Sequence, residues 1–248
     1  MVFSTVGKMV TAEGLMLVLP LICAVYYRES CSWSILITMG IALVLGLAIT
    51  LLSRPKTTVI YAKEGFCITA LAWIAVSAVG ALPFVLSGEI PNYIDAFFET
   101  VSGFTTTGAS ILTDVEAMSR GLLFWRSFTH WVGGMGVLVF VMALLPGVTD
   151  RSIHIMRAEM PGPVVGKLVP KAKDTASLLY KIYIVMTMVQ ILLLLAGGMP
   201  VFDSILHAFG TAGTGGFGIK ANSIAGYTPY LQWVITVFMF LFGINFNL

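Results

Sequence analysis

Two short stretches of this sequence combine the residue types that can hold a bare cation. They are Thr105-Thr106-Thr107-Gly108-Ala109-Ser110 and Thr211-Ala212-Gly213-Thr214-Gly215-Gly216-Phe217-Gly218. Glycine removes the Cβ penalty and lets a carbonyl turn toward an axis. Threonine adds a hydroxyl oxygen. Oxygens presented this way replace the hydration shell of an ion in a selectivity filter. Each stretch closes an apolar segment of about half membrane length, 93–108 and 201–217, that follows a proline (Pro91, Pro200) and starts with an aspartate (Asp95, Asp203). Read as a helix, Ile94–Phe104 spans about 16 Å, roughly half the hydrocarbon core. The aspartate suits the positive helix end, and the C-terminus brings partial negative charge to the membrane midplane. The non-helical return is tolerated at that depth only where it is buried in protein or lines a wet cavity.

The elements that position these stretches follow from composition. Of 248 residues, 58% are hydrophobic and only 10% charged, with mean hydropathy +0.94. A soluble domain carries roughly 25% charge. The chain therefore reads as an all-α polytopic membrane protein, neither a soluble globule nor a disordered tail. A net charge of +2 gives no support for a nucleic-acid partner. Cys23, Cys31 and Cys67 form no CxxC pair or metal spacing, and read as apolar thiols in or near helices. Six apolar runs are long enough to cross a bilayer: 10–27, 33–52, 65–86, 122–145, 180–199 and 229–248. The first is no convincing secretory signal, since Tyr26-Tyr27-Arg28 is not a small-residue cleavage site.

With the N-terminus in the cytoplasm, ten Lys and Arg fall inside and four outside (Arg28, Arg120, Arg126, Lys220). The outer side then carries a balance of −3 and the inner +5, and a negative outer mouth concentrates cations. Tyr and Trp fall near the expected interfaces. After residue 64 a unit of helix, half-length segment and helix occurs twice, over 65–145 and 178–248. A shift of 107 residues overlays Gly103 on Gly210, Thr107 on Thr214 and Gly108 on Gly215. Residues 1–52 form an extra helical hairpin, and 146–177 a basic cytoplasmic loop.

Together with these units, three stretches resemble the Trk/Ktr/HKT superfamily of potassium transporters, and within it the Trk-type membrane subunit. They are Phe124-Trp125-Arg126-Ser127-Phe128-Thr129-His130-Trp131-Val132-Gly133-Gly134-Met135-Gly136, Arg157-Ala158-Glu159-Met160-Pro161-Gly162-Pro163 and Gly243-Ile244-Asn245-Phe246-Asn247-Leu248. The resemblance implies helix–pore-loop–helix repeats like potassium channel subunits. Potassium would bind at Thr106, Thr107, Gly108, Gly213, Thr214 and Gly215, with no covalent cofactor. Gly108 rather than serine implies potassium preference. The resemblance also implies a bacterial inner-membrane location, a homodimer and a cytosolic nucleotide-binding regulatory subunit. The family has four repeats around one pore and this chain two, so it is expected to be an N-terminal half that conducts only when completed. A half-subunit assembling in pairs, or a non-conducting scaffold, is the alternative.

Other residues carry competing readings. Arg126 and His130 share one helix face and either tune the outer mouth or anchor to headgroups or to Asp114 and Glu116; anchoring is the expectation. Gly133, Gly134 and Gly136 either bend the helix or let it pack closely; close packing is expected. Glu13, about a turn inside the inner interface, is a candidate proton relay. His207 is expected to pack on the second pore helix, and His154 to lie in the inner loop. Neither HExxH nor GxSxG occurs, and no enzyme is expected.

Overall fold

The computed structural model describes residues 2–53, 62–136 and 172–244, and every regular element among them is an α-helix. In chain order these are α1 (Val2–Met16), α2 (Val18–Tyr26), α3 (Cys31–Leu52), α4 (Ala62–Gly80), α5 (Leu82–Ser87), α6 (Tyr93–Phe104), α7 (Arg120–Gly134), α8 (Ala172–Ala196), α9 (Val201–Ala212) and α10 (Pro229–Phe242). Four stretches are long and apolar enough to cross a membrane: Val2–Tyr26, Cys31–Leu52, Lys63–Ser87 and Ser177–Ala196.

Two of these crossings are interrupted, each just before a buried proline. Pro20 lacks an N–H and crowds the carbonyl of Met16, and the helix breaks at Leu17; Pro83 has the same relation to Val79, and the break falls at Ala81. The first crossing starts at residue 2 and not at 10. Glu13 therefore lies near the middle of that apolar helical stretch and not close to its start. α8 starts at 172, inside the stretch expected to be loop. The rest of that loop, residues 137–145 of the fourth expected span, the motif at 157–163 and residues 245–248 lie outside the described residues.

The N-terminal hairpin is closed by close contact between its own helices α1 and α3. At Gly7 an added Cβ would stand 2.8 Å from the carbonyl oxygen of Gly46, and at Gly46 it would stand 2.7 Å from that of Gly7. Only glycine lets α1 and α3 approach so closely. α7 is the hub: it packs on α2, α6 and α9 and so touches the hairpin and both repeats. Trp125, at the centre of that packing, is fully buried and donates its indole N–H to the Gly80 carbonyl at 2.9 Å.

Candidate functional site

α6 and α9 are the two half-length helices. Each has 12 residues with an aspartate in its first turn. At the start of α6 the Asn92 side chain accepts a hydrogen bond from the Ile94 N–H at 3.0 Å. At its end the N–H groups of Thr105, Thr106 and Thr107 still bond back to Val101, Gly103 and Ser102, and then the backbone leaves the helix. In the first return segment, residues 105–110, φ is +55° at Thr106 and +74° at Gly108; in the second, residues 213–218, it is +59° at Thr214 and +66° at Gly216. A threonine in the left-handed region is strained by about 1–2 kcal/mol, so each segment is held in place by its surroundings.

These angles correct the register of the repeat. α6 and α9 start at Tyr93 and Val201 and end at Phe104 and Ala212. Both pairs are offset by 108, as are the two left-handed threonines and the two left-handed glycines. Gly108 therefore corresponds to Gly216, and Thr107 to Gly215; the alignment at 107 matched the Thr-Gly letters one residue out of phase. The signal that points to 108 in the sequence is the Asp95/Asp203 pair. Gly216 was missing from the expected site residues.

The two segments stand against each other. A Cβ on Gly108 would overlap the Gly215 carbonyl oxygen, and a Cβ on Gly215 would stand 2.5 Å from the Thr106 carbonyl oxygen. The side chains of Thr105, Thr107 and Thr214 are exposed, so one side of the paired segments is polar and open.

α7 supports both segments through residues spaced i, i+3, i+4 and i+7, one helix face. The Arg126 Nε donates to Glu99 Oε1 at 2.7 Å, its Nη1 to the Gly218 carbonyl at 2.7 Å, and its guanidinium carbon lies 3.4 Å from the centre of the Phe217 ring. Glu99, fully buried on α6, also accepts from the Ser110 hydroxyl at 2.9 Å and the Ile111 N–H at 2.8 Å. This one carboxylate ties α6, the first return segment and α7, and the arginine continues to the second segment. The Gly215 N–H donates to His130 Nε2 at 3.2 Å, which places that imidazole's proton on Nδ1. The remaining two residues of the face lie against α6. A Cβ on Gly103 would overlap the Thr129 hydroxyl, and one on Gly133 would overlap the Phe104 carbonyl.

Three expectations change here. Arg126 is buried and anchors to Glu99, not to headgroups, Asp114 or Glu116. Gly133 and Gly134 do mark close packing, but Gly136 lies at φ +80° in the turn that ends α7. Glu99 carries no site role in the sequence reading; an acid one turn after Asp95 inside an apolar half-helix is the signal for it.

The second repeat has a different network. The Tyr227 hydroxyl donates to Asp203 Oδ2 at 2.9 Å and pairs with His207 Nε2 at 3.2 Å, so the imidazole is the donor there. Burial, then the Asp203 hydrogen bond, push the Tyr227 phenol above its ordinary pKa. Beside the segments a cavity of about 230 Å³ is lined by Gly108, Ser110, Arg126, Gly216 and Lys220 among others. At its rim Lys220 Nζ meets Glu116 Oε2 at 3.1 Å and bridges the two repeats; that hydrogen bond, then one from Ala221 N–H, hold the Glu116 carboxyl below its ordinary range. Glu13 lies away from this cavity. Among the described residues both its carboxylate oxygens are buried without a hydrogen-bond partner, and one would lie 2.7 Å from a Cβ on Gly80.

The family model described as "TrkH: Cation transport protein" matches residues 32–248. The Trk system potassium uptake protein TrkH of Salmonella typhimurium is 36% identical over 247 residues, 98% of this chain and 51% of that protein. The Trk system potassium uptake protein TrkG of Escherichia coli is 33% identical over 245 residues, 98% of this chain and 50% of its own. The crystal structure of the potassium transporter TrkH from Vibrio parahaemolyticus superposes with a TM-score of 0.82 at 28% identity, covering 99% of this chain and 51% of that one. The chain thus spans about half the length of the relatives it matches.

Proposed function

Since this chain belongs to the TrkH family of cation transport proteins, we propose that it supplies part of a pore for potassium uptake across the bacterial cytoplasmic membrane, with its N-terminus in the cytoplasm. The observation that carries the reading is the pair of opposed return segments, each leaving a half-length helix through a left-handed threonine and a left-handed glycine. A backbone that alternates in hand turns successive carbonyls to one side, where they stand in for the water of a dehydrating cation. The C-termini of α6 and α9 add partial negative charge at the same depth. In this reading Thr106, Thr107, Gly108, Thr214, Gly215 and Gly216 line the path, Gly213 joins the second segment to α9, and the open side of the pair faces the ion. Two segments surround a cation on one side only. Further segments of the same kind complete the ring, in a chain of the relatives' length or through a second copy. A homodimer and a cytosolic nucleotide-binding regulatory subunit belong to the same proposal.

The test is rubidium uptake by the full-length protein in cells without their own potassium import. Uptake competed by potassium and not by sodium is expected. A completed pore that passes sodium as readily as rubidium overturns the reading.

A further inference from the structure

The first turn of α7 has no cap of its own. Ser119 occupies the N-cap position with no side-chain hydrogen bond. The exposed N–H groups are satisfied from elsewhere: Ser119 N–H donates to Glu89 Oε2 at 3.0 Å, Arg120 N–H to Glu29 Oε1 at 2.9 Å and Gly121 N–H to Glu29 Oε2 at 2.9 Å. Glu29 belongs to the turn between α2 and α3, in the hairpin outside the repeats and outside the family match, which starts at residue 32. Both its oxygens are spent on one helix end 91 and 92 residues away.

The turn that presents Glu29 is itself strained. α2 ends with Glu29 N–H bonded to the Ala24 carbonyl and Arg28 N–H to that of Val25, which places Arg28 in the left-handed position at φ +57°. α8 ends in the same way, with Met199 N–H to Leu194 and Gly198 N–H to Leu195, and there glycine takes that position at φ +84°. Glycine is the ordinary residue at this site; an arginine holds it here while the next residue caps α7. The Arg120 guanidinium then lies 4.3 Å from the Tyr27 ring and 5.9 Å from that of Phe202, at the start of α9. The one turn therefore fastens to the outer ends of both repeats.

We propose that Glu29 is a positioning residue for ion selection: it fixes the N-terminus of α7, and through Arg126 and His130 fixes where both return segments stand. The proposal rests on reading those segments as the filter. The lever is short and stiff. Arg126 and His130 lie six and ten residues along α7, about 9 and 15 Å. A slip of one residue would move them about 1.5 Å and turn them about 100°, more than hydrogen bonds of 2.7 and 3.2 Å to Gly218 and Gly215 can follow.

The experiment compares potassium-to-sodium flux ratios of the full-length transporter in proteoliposomes, together with amide hydrogen exchange over residues 120–123. Glu29→Ala is expected to speed exchange there and to lower the flux ratio by about fivefold, the equivalent of a lost N-cap of about 1 kcal/mol. Glu29→Gln, which keeps one acceptor, should fall between, and it carries the test if the alanine variant does not fold. Arg28→Gly relieves the turn and keeps the carboxylate, so it should leave the ratio unchanged. Gly108→Ser is the reference for the filter. If it shifts the ratio while both Glu29 variants speed exchange and leave the ratio alone, the positioning role is wrong and the filter reading stands. If Gly108→Ser shifts nothing, the filter reading fails and takes the proposal with it.

Discussion

Behind the first return segment stands a buried ion pair, Glu99–Arg126; at the matching place in the second repeat, offset by 108, His207 replaces Glu99, and α10 has no charged residue to replace Arg126. The second segment borrows its support from the first repeat, through Arg126 at Gly218 and His130 at Gly215. Its own polar groups, Asp203, His207 and Tyr227, instead pin the loop before α10 to α9. The difference shows that two copies of one backbone unit need not carry two copies of one network. A single charged cluster at their interface serves both, because a guanidinium has donors enough for a carboxylate and a carbonyl at once.

The largest effect expected from breaking this asymmetry comes from the ion pair. Glu99→Gln leaves Arg126 buried with a neutral partner and should destabilise the protein by about 3–5 kcal/mol. A second change, Arg126→Met, should restore part of that loss. Thermal unfolding in detergent checks both; a double variant no more stable than Glu99→Gln alone would show that the hydrogen bonds to the return segments matter more than the charges.

Next come the paired glycines. Serine at Gly108 or at Gly216 must adopt a positive φ, at about 1–2 kcal/mol. Only at Gly108 does its Cβ also overlap a backbone carbonyl, that of Gly215, whereas no atom of the described residues lies within 4 Å of a Cβ on Gly216. Both variants should lower the potassium-to-sodium flux ratio, and Gly108→Ser more. Equal effects would mean that backbone strain alone sets selectivity, and the reverse order would undo the assigned register.

The smallest effects belong to the outer rim. Tyr227→Phe removes the hydroxyl shared by Asp203 and His207 and should cost about 1 kcal/mol. Lys220→Met should leave the melting temperature nearly unchanged at physiological salt, because exposed pairs contribute little. The Glu116 carboxyl is held low by Lys220, so this link is present above the ordinary carboxylate range and lost as pH falls through the lowered value. A pH titration of thermal stability should therefore show a small advantage of the wild type over Lys220→Met at neutral pH that disappears on that acid limb.

Four of the six expected crossings, the half-length helices and the turns that follow them were legible in the sequence, since each depends on local composition: apolar length, a proline, an aspartate at a helix start, glycine where a side chain cannot fit. The extent of the first crossing was harder to read, because Lys8 and Glu13 interrupt the apolar signal while the helix runs through them. The register between the repeats was not settled by the Thr-Gly letters, which overlay in two ways; the Asp95/Asp203 spacing favours 108, and the backbone angles show which glycines are left-handed. Partners across the fold were hidden for a deeper reason. Glu99 finds Arg126 27 residues on, and Glu29 finds Arg120 91 residues on. A carboxylate in a sequence states that it needs donors, but which donors it receives is decided only when α7 packs between the hairpin and both repeats.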